Sequence, residues 1–512
     1  MLPVSANAGQ LVLNNGSNAP ITCTVDGWTI ATGYNFDWNI TVQPGASFRV
    51  GQNMTRPGKP VINWVSCGGL TTKMMNITPA APDGQIFLNG QQKRVLNAAL
   101  YPYLPTLPGN KFEALVAHVI KTYQAQNPDV LLAAQLNDQT NIYSFDNLPL
   151  LLSANGLDVI EMDVTYLDFV VREKLINKVT SVPNKALPVA MASVTINGTV
   201  WAIPSWLCSN FIYASDGALT NVKTLDDLLA FLKTRRVSPQ IAASFNGSWT
   251  LPAMYINGYV QTYGLDKINQ SMVMPPDPTV ISNLLKLTAT CNDDGTNNCT
   301  NDVYHNGANG TTEQVFATGH SGSDMGFSEQ SFYINYYGPV SPLYSVIAPW
   351  GAKPQPLLFS DAFVTNSSTC KPGTPCAADA AALTTMMTDL PMKNYIVQSQ
   401  DLPAGTPWRT LLVATQGFYA QPQIANNPMY QQFTKVFPTA AAYPNNFTAE
   451  VQTQMAVGIC KALKAQDPTY VCNSGVANAA TPPSAANDNA PENVTAEKQS
   501  FRTSGRSGGI TQ

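Results

Sequence analysis

The sequence contains few charged residues and no long apolar run. Only 12% of its 512 residues are charged, against about 25% in an average soluble protein. Its polar surface must therefore consist largely of Asn, Thr, Ser and Gln. No stretch approaches ~18 uninterrupted apolar residues, so no membrane span is predicted. A net charge of -4 without a basic run excludes nucleic acid as a partner.

Histidine is scarce, and the usual cofactor motifs are absent. His118, His305 and His320 are the only histidines, and no Cys-x2-Cys or His-x3-His spacing occurs, so no metal site is expected. The apolar stripe of its helix leaves His118 on the polar side, where a solvated position is predicted. The sequence has no Gly-x-Ser-x-Gly elbow, P-loop or dinucleotide-binding fingerprint. No cofactor is therefore predicted.

What the sequence does contain is an odd number of cysteines. Eight of the nine fall into neighbouring couples, namely Cys23 with Cys67, Cys291 with Cys299, Cys370 with Cys376 and Cys460 with Cys472. Proximity suggests these pairings without fixing them. Cys208 is left over, and an odd cysteine in an exported protein indicates a free, reactive thiol or an intermolecular bridge.

The segment around Cys208, Trp201–Tyr213, is apolar and aromatic. Such surroundings fit two different roles. A free cysteine is among the most frequently buried residues and often only fills core volume, whereas a nucleophilic thiol requires a lowered pKa and access. The residues alone leave both roles open.

Several features of the composition indicate a secreted or periplasmic protein. Residues 2–9 resemble the small-residue end of a secretory signal peptide, and paired cysteines are typical of oxidising compartments. Triplets of the form Asn-x-Ser/Thr, such as Asn39–Thr41 and Asn446–Thr448, also suit export, although an Asn-rich chain produces them by chance.

Three regions are predicted along the chain. Residues 1–90 alternate short apolar runs with Gly, Asn and Pro, which predicts a small antiparallel β domain. Carbohydrate binding, surface attachment and shielding are equally compatible roles for it. Residues 91–473 alternate strand and helix patterns, which predicts an α/β region of two lobes with a central cleft. Residues 474–512 contain almost no large apolar side chains, so a disordered tail is expected.

The α/β region begins with a strand at Arg94–Tyr101 and a helix at Lys111–Tyr123, whose apolar residues recur at helical spacing. Further helices are predicted at Leu225–Thr234, Thr279–Thr288, Ala377–Asp389 and Ala449–Ala465. Thr224 and Asp227 form a capping-box pattern at the start of the first of these. Further strands are predicted at Asp158–Met162, Thr199–Ile203 and Pro356–Phe359.

Five segments of this region resemble thiaminase I (thiamine pyridinylase), a family of secreted enzymes. The segments are Ala99–Pro105, Leu157–Asp163, Trp201–Asn210, Gly326–Gln330 and Leu357–Val364. The Tyr-Pro-Tyr motif of the first and the Ile-Pro-x-x-x-Cys-x-Asn motif of the third are the most specific. The resemblance implies an α/β fold with the two-lobed core of type 2 periplasmic solute-binding proteins. It does not cover the N-terminal β domain or the tail, which are additions to that core.

The resemblance makes Cys208 the nucleophile and Glu329 its general base. In the family's chemistry the thiolate adds to the pyrimidine of thiamine, the thiazole leaves from the methylene bridge, and an organic base or thiol takes its place. Thiamine and a nucleophilic co-substrate are thus the expected partners of a monomeric protein. The alternative for Glu329 is a solvated loop carboxylate.

Four further residues match positions that hold the substrate in the family. Asp163 and Asp361 would accept hydrogen bonds from an aminopyrimidine and favour the cationic thiazolium. Tyr101 and Tyr103 would offer aromatic faces for stacking and for cation–π attraction. Other roles remain open, because Asp163 has the position of a helix cap and the tyrosines form a rigid corner at a strand end.

The sequence departs from the family pattern near these residues. Phe327 and Phe359 stand where tyrosines are expected, and an acidic-aromatic segment is only faintly present near Tyr143 and Asp146. Two possible hydrogen bonds to substrate are therefore missing.

Two other classes of protein stay open. One is a solute-binding protein that closes on thiamine or a similar small ligand without chemistry, and the other is an adhesive or carbohydrate-binding surface protein in which Cys208 is inert.

Overall fold

The computed structural model describes most of the chain between its two ends. The described residues are 11–29, 35–50, 60–73, 84–110, 112–136, 147–247, 249–293, 295–301, 304, 311–338 and 340–471. His305, Tyr143, Asp146 and the predicted tail at 474–512 lie outside them. The boundaries of the three predicted regions stay predictions.

Short strands with inward apolar side chains form the N-terminal region. They are β1 (Leu11–Asn15), β2 (Ile21–Thr29), β3 (Asn35–Val42), β4 (Ser47–Val50), β5 (Pro60–Cys67), β6 (Leu70–Thr71) and β7 (Gly84–Leu88). They pair in the orders β4-β1-β7 and β3-β2-β5-β6 and share a core that includes Leu13, Val25 and Val65. β1 runs parallel to β7, which corrects the prediction of a wholly antiparallel domain at that pair.

A mixed sheet stands at the centre of the α/β region. The strands of this region are β8 (Arg94–Ala99), β9 (Val130–Gln135), β10 (Val159–Asp163), β11 (Thr195–Ile196), β12 (Thr199–Val200), β13 (Ile203–Cys208), β14 (Asn210–Ala214), β15 (Asn292–Asp293), β16 (Thr296–Asn297), β17 (Asp324–Phe327), β18 (Tyr344–Ile347), β19 (Leu357–Thr365), β20 (Leu412–Val413) and β21 (Ala441–Ala442). The central sheet has the order β20-β13-β19-β10-β8-β9, and β21 also pairs with β19. β8 is parallel to β9 and β10, whereas β19 is antiparallel to β10 and β13.

Helices cover this sheet and build a second layer beside a smaller sheet of order β17-β14-β18. They are α1 (Glu113–Gln126), α2 (Asn147–Leu151), α3 (Leu167–Arg172), α4 (Pro188–Ser193), α5 (Leu225–Lys233), α6 (Thr250–Tyr263), α7 (Pro278–Thr288), α8 (Thr312–Ala317), α9 (Gln330–Tyr337), α10 (Pro375–Thr388), α11 (Leu390–Val397), α12 (Pro422–Ala425), α13 (Pro428–Phe433) and α14 (Ala449–Gln466). Every residue of β19 except the last is buried, because both faces of the central sheet are covered.

Buried apolar side chains form two large cores in the α/β region. The first includes Leu96, Val119 and Ile160 from β8, α1 and β10, and the second includes side chains of α5, α6, α7 and α14. β14 lies between them, since Phe211 belongs to the first core and Ile212 to the second. The alternation of side chains along a strand produces this division. The chain therefore passes from one core to the other where β13 of the central sheet leads into β14.

The predicted helices are present within a few residues of their expected bounds. Thr224 and Asp227 form the capping box: the Asp227 N–H donates to Thr224 Oγ1 over 3.2 Å, and the Thr224 N–H donates to Asp227 Oδ2 over 3.0 Å. The strand predicted at Thr199–Ile203 is divided between β12 and the start of β13. Helix α6 was missed because it is buried on almost all sides and so lacks an amphipathic period.

The cysteine pairs predicted from proximity are confirmed for three couples, Cys23–Cys67, Cys291–Cys299 and Cys370–Cys376. Cys460 is also disulfide-bonded, and its predicted partner Cys472 lies outside the described residues. Cys208 retains its thiol, and the residue is partly exposed. An intermolecular bridge is therefore not required to explain the pairing of the other cysteines.

Two further observations concern surface and membrane. Within the described ranges, no helix combines the length and apolar character that crossing a bilayer requires. The prediction of a solvated His118 was incomplete, because its imidazole is only partly exposed and stacks on the ring of Tyr395 at 3.6 Å between centroids.

Asp324, the first residue of β17, is a buried carboxylic acid. Neither of its carboxylate oxygens has a hydrogen-bond partner within the described residues. Burial, reinforced by the charge of Glu313, raises the pKa of Asp324 well above its usual value. Because the folded-state pKa is raised, stability is fully present below the unfolded-state pKa of about 3.9 and falls as the pH rises above it.

Replacing Asp324 with asparagine should therefore stabilise the protein at neutral pH. We expect the free energy of unfolding to rise by about 1–3 kcal/mol at pH 8 and to change less at pH 4, because the amide carries no charge at either pH. Urea unfolding at the two pH values measures the difference.

Asp227→Asn is a matched control with the opposite sign. Asp227 is exposed, and hydrogen bonds from Thr224 and from the Lys223 backbone lower its pKa, so its contribution is present above the unfolded-state pKa and lost as the pH falls. Asp227→Asn should destabilise the protein more at pH 8 than at low pH. A loss of stability for Asp324→Asn at pH 8 would show that the buried carboxylate is favourably paired.

Candidate functional site

Cys208 ends β13 at the point where the chain leaves the central sheet. Ser209 follows, and β14 begins at Asn210 in the smaller sheet. The Ser209 hydroxyl donates to the carbonyl of Leu357 over 2.8 Å, which ties this crossing to the first residue of β19. Trp206 and Leu207 are buried, whereas Cys208 is partly exposed. The thiol therefore lies between the two cores with some access to solvent.

Cys208 and Glu329 lie near the same end of one strand pair. In the antiparallel pair β14 and β17, Asn210 lies opposite Phe327. Cys208 precedes Asn210 by two residues, and Glu329 follows Phe327 by two residues. The Glu329 side chain is only 8% exposed, and its Oε2 accepts a hydrogen bond from Ser328 Oγ over 3.0 Å. The alternative of a solvated loop carboxylate is therefore wrong.

Asp163 and Asp361 are direct cross-strand partners in β10 and β19. Both are buried, with exposures of 3% and 4%. Asp163 Oδ1 accepts the backbone N–H of Thr165 over 2.9 Å, so Asp163 also caps the short 3-10 turn Val164–Tyr166. Trp206 of β13 lies opposite Asp361 on its other side. Asp361 thus lies in the strand next to the one that carries Cys208, and Asp163 lies one strand further away.

Tyr101 and Tyr103 follow the carboxyl end of β8. Their rings meet edge to face with centroids 5.7 Å apart, and both are buried. β8 lies parallel to β10, with Ala99 opposite Ile160, so the tyrosines continue toward the end of β10 that bears Asp163. The structure thus places Tyr101, Tyr103, Asp163, Asp361 and Cys208 on or just after strands of the central sheet, whereas Glu329 follows β17 of the smaller sheet. Their joint role as a site stays a prediction.

An aromatic wall stands beside the thiol. Phe359 of β19 lies directly opposite Cys208, and its ring is 6.5 Å from that of Phe327. On its other side Phe359 stacks on Tyr443 at 3.8 Å and approaches Trp249 at 4.9 Å. The two phenylalanines that depart from the family pattern are thus packing residues of this wall, and they present hydrocarbon where tyrosines would present hydroxyls.

Sequence reasoning missed three buried polar residues of β10, β13 and α11. Glu161, Ser205 and Lys393 are each no more than 1% exposed. Alternation along β10 places Glu161 on the same face as Asp163, which was the one available signal. Nothing in the sequence indicated Lys393, because a lysine in a short helix normally lies at the surface.

Two other features of the structure lie apart from the site. An open cavity of about 650 Å³ is lined by residues such as Asp168, Leu265 and Pro444 and by none of the six predicted residues. Within the described part of the chain, the one group of three potential metal-binding side chains is Asp158, Cys370 and Cys376. Its two cysteines are joined in a disulfide, so they have no thiolate to offer a metal.

No family model matches the sequence, and no curated protein matches it. The structure nevertheless has the two-lobed fold of periplasmic solute-binding proteins. The maltodextrin-binding protein MalE1 of L. casei is similar at a TM-score of 0.52 and 16% identity, over 73% of this chain and 94% of that one.

Thiaminase I structures share the same fold. Thiaminase I from Bacillus thiaminolyticus matches at a TM-score of 0.56 and 20% identity, over 72% of this chain and 99% of that one. Thiaminase I from Clostridium botulinum, solved in complex with thiamin, matches at 0.56 and 18%, over 72% and 100%. At these identities the comparison establishes the fold, and the activity must be argued from the site.

Proposed function

We propose that the protein is a secreted thiamine-degrading transferase that displaces the thiazole of thiamine with an organic base or thiol. The observation that supports this proposal is the pairing of Asn210 with Phe327, which leaves Cys208 and Glu329 near one end of the same strand pair. Thiaminase I, which has the same fold, was solved with thiamin bound. The disulfides support an exported protein.

Glu329 would accept the thiol proton as Cys208 attacks. An unperturbed thiol has a pKa of about 8.5 and is only a few per cent ionised at pH 7. A carboxylate within hydrogen-bond reach can accept the proton during the attack and so make the thiol a better nucleophile. The sulfur adds to a ring carbon of the pyrimidine. The bond between the methylene carbon and the thiazolium nitrogen then breaks, and its electron pair leaves with the neutral thiazole.

The co-substrate completes the exchange. Its lone pair forms a bond to the methylene carbon, the sulfur–carbon bond to the pyrimidine breaks, and Cys208 leaves as a thiolate that recovers the proton held by Glu329. Glu329 thus acts first as a base and then as an acid. The partial exposure of Cys208 is the access that an inert core thiol would not require.

The other four residues would hold the substrate. The carboxylates of Asp163 and Asp361 lie on adjoining strands and suit the exocyclic amine of the pyrimidine and the cationic thiazolium. Tyr101 and Tyr103 supply aromatic faces beside them. Because these side chains are buried, entry of a ligand requires the lobes to separate, and closure would exclude water from the covalent intermediate.

A second candidate is a solute-binding protein for thiamine or a similar small ligand. The fold favours it equally, since the maltodextrin-binding proteins match over a similar share of the chain. Incubation of the protein with thiamine and pyridine or aniline separates the two, with thiazole release as the measurement. Release with turnover supports the transferase, and binding without release supports the solute-binding protein. The absence of both binding and release rejects both candidates.

A further inference from the structure

Three polar side chains that the proposed chemistry does not use are buried together behind the site. Glu161 of β10, Ser205 of β13 and Lys393 of α11 are 1%, 0% and 0% exposed. A fully buried lysine is rare unless it is paired. Ser205 lies where the pairing of β13 with β19 is irregular, between Pro204 and Trp206. Lys393 lies in the first turns of α11, which Asp389 caps by accepting the N–H of Met392 over 2.8 Å.

These side chains form a continuous series of hydrogen bonds that ends at a predicted substrate residue. Lys393 Nζ donates to Ser205 Oγ over 2.6 Å, and Ser205 Oγ donates to Glu161 Oε1 over 2.5 Å. Glu161 Oε2 accepts the backbone N–H of Tyr101 over 2.8 Å. The position of the Tyr101 backbone is therefore coupled to Lys393 through two intervening side chains.

Lys393 also lies near Asp361, one residue of the buried acidic pair. Its Nζ lies 3.3 Å from the ring centroid of Trp206, the residue opposite Asp361 in the neighbouring strand. Burial lowers the pKa of Lys393 to about 7, while Glu161, Asp361 and Asp389 oppose that shift. Carboxylates on adjoining buried strands need a nearby positive charge, because an uncompensated buried charge is strongly unfavourable.

We propose that Lys393, Ser205 and Glu161 form a buried positioning network for the substrate site. Lys393 holds the backbone of Tyr101 in place through Ser205 and Glu161, and it offsets the negative charge of Asp361. None of the three touches the reacting atoms, so each is a positioning residue. The part that concerns thiamine binding rests on the proposed function, whereas the hold on Tyr101 does not.

Hydrogen exchange tests the hold on Tyr101 without any ligand. In Lys393→Met, the amide of Tyr101 should exchange about tenfold faster, the loss expected for one charge-assisted hydrogen bond. Amides of β9 in the same sheet should be unchanged. Lys121→Met is the control, since Lys121 also lies over an aromatic ring, Phe87 at 4.7 Å, but is exposed. Unchanged exchange at Tyr101, or faster exchange throughout the sheet, overturns the proposal.

Two companion variants guard against a folding defect in Lys393→Met. The double variant Glu161→Gln/Lys393→Met carries no charge within the network. Its amide oxygen can accept from Tyr101 while its NH2 group donates to Ser205 Oγ, so it should restore most of the protection. Ser205→Ala keeps both charged groups and removes only the bridge, so a smaller increase in exchange is expected. Failure of the double variant to restore protection, with the fold intact, counts against the network.

Kinetics test the consequence for substrate. Lys393→Met should raise KM for thiamine about tenfold and leave kcat within about threefold, because the network supports binding residues and not Cys208. A fall in kcat with unchanged KM overturns this role. If the wild-type protein neither binds nor cleaves thiamine, the proposed function fails, and the exchange measurement still decides whether the network holds Tyr101.

Discussion

Cys208→Ser should abolish thiamine cleavage, with a loss in kcat of about three to six orders of magnitude. A serine hydroxyl at this position ionises far less readily than a thiol of pKa about 8.5, and Glu329 alone would have to remove its proton in full. Thiazole release in the presence of pyridine is the measurement. Thiamine binding, followed by calorimetry, should change little, because the oxygen replaces the sulfur at the end of β13 without altering the strand.

Mass spectrometry gives an independent check of the same step. Wild-type protein mixed with thiamine and no added co-substrate should gain the mass of the pyrimidinylmethyl group on the peptide that contains Cys208, and Cys208→Ser should gain none. The six cysteines of the three disulfides serve as internal controls, since they have no thiol and should gain no mass. Cleavage by Cys208→Ser at the wild-type rate would exclude covalent catalysis by this residue.

Glu329→Gln should lower kcat by about 10²- to 10⁴-fold, the usual range for loss of a general base. The amide keeps the size of the side chain and can still interact with Ser328, so KM for thiamine should stay close to its wild-type value. The deficit should shrink as the pH rises toward 9, because the thiol then ionises without help. A pH profile of kcat for both proteins measures this convergence.

Glu450→Gln is the matched control for this variant. Glu450 is an exposed carboxylate in the first turn of α14, so its replacement should leave the profile unchanged. A Glu329→Gln protein with wild-type kcat would assign the proton transfer to another group. A higher KM with unchanged kcat would make Glu329 a binding residue, as expected of the solute-binding alternative.

Local features of the fold were predictable from the sequence because their causes are local. The capping box of α5 needs only Thr224 and Asp227 three residues apart. The pairing of Cys291 with Cys299 needs only a short loop. The strand predicted at Thr199–Ile203 shows where such prediction fails. It is divided because β12 pairs with β11 whereas β13 pairs with β19, and these pairings are not encoded locally.

The candidate site residues could be named only through resemblance. Cys208 and Glu329 are separated by more than a hundred positions, and the pairing of β14 with β17 that leaves both near one end of the same strand pair has no local signature. Lys393 was missed for a related reason. Its burial follows from the packing of α11 against the central sheet and from the partners Ser205 and Glu161, none of which is near it in the sequence.

The Ser209 crossing has a mechanical consequence. When one rigid body rotates against another, each atom moves in proportion to its distance from the axis, so a residue at the connection between them moves least. Cys208 precedes Ser209, which is fastened to Leu357 at the neighbouring connection. We therefore expect the sulfur to act as a fixed pivot point. Opening would turn Glu329, which follows β17 of the smaller sheet, away from Asp163 and Asp361 of the central sheet, and closing would return it to a nucleophile that had stayed in place.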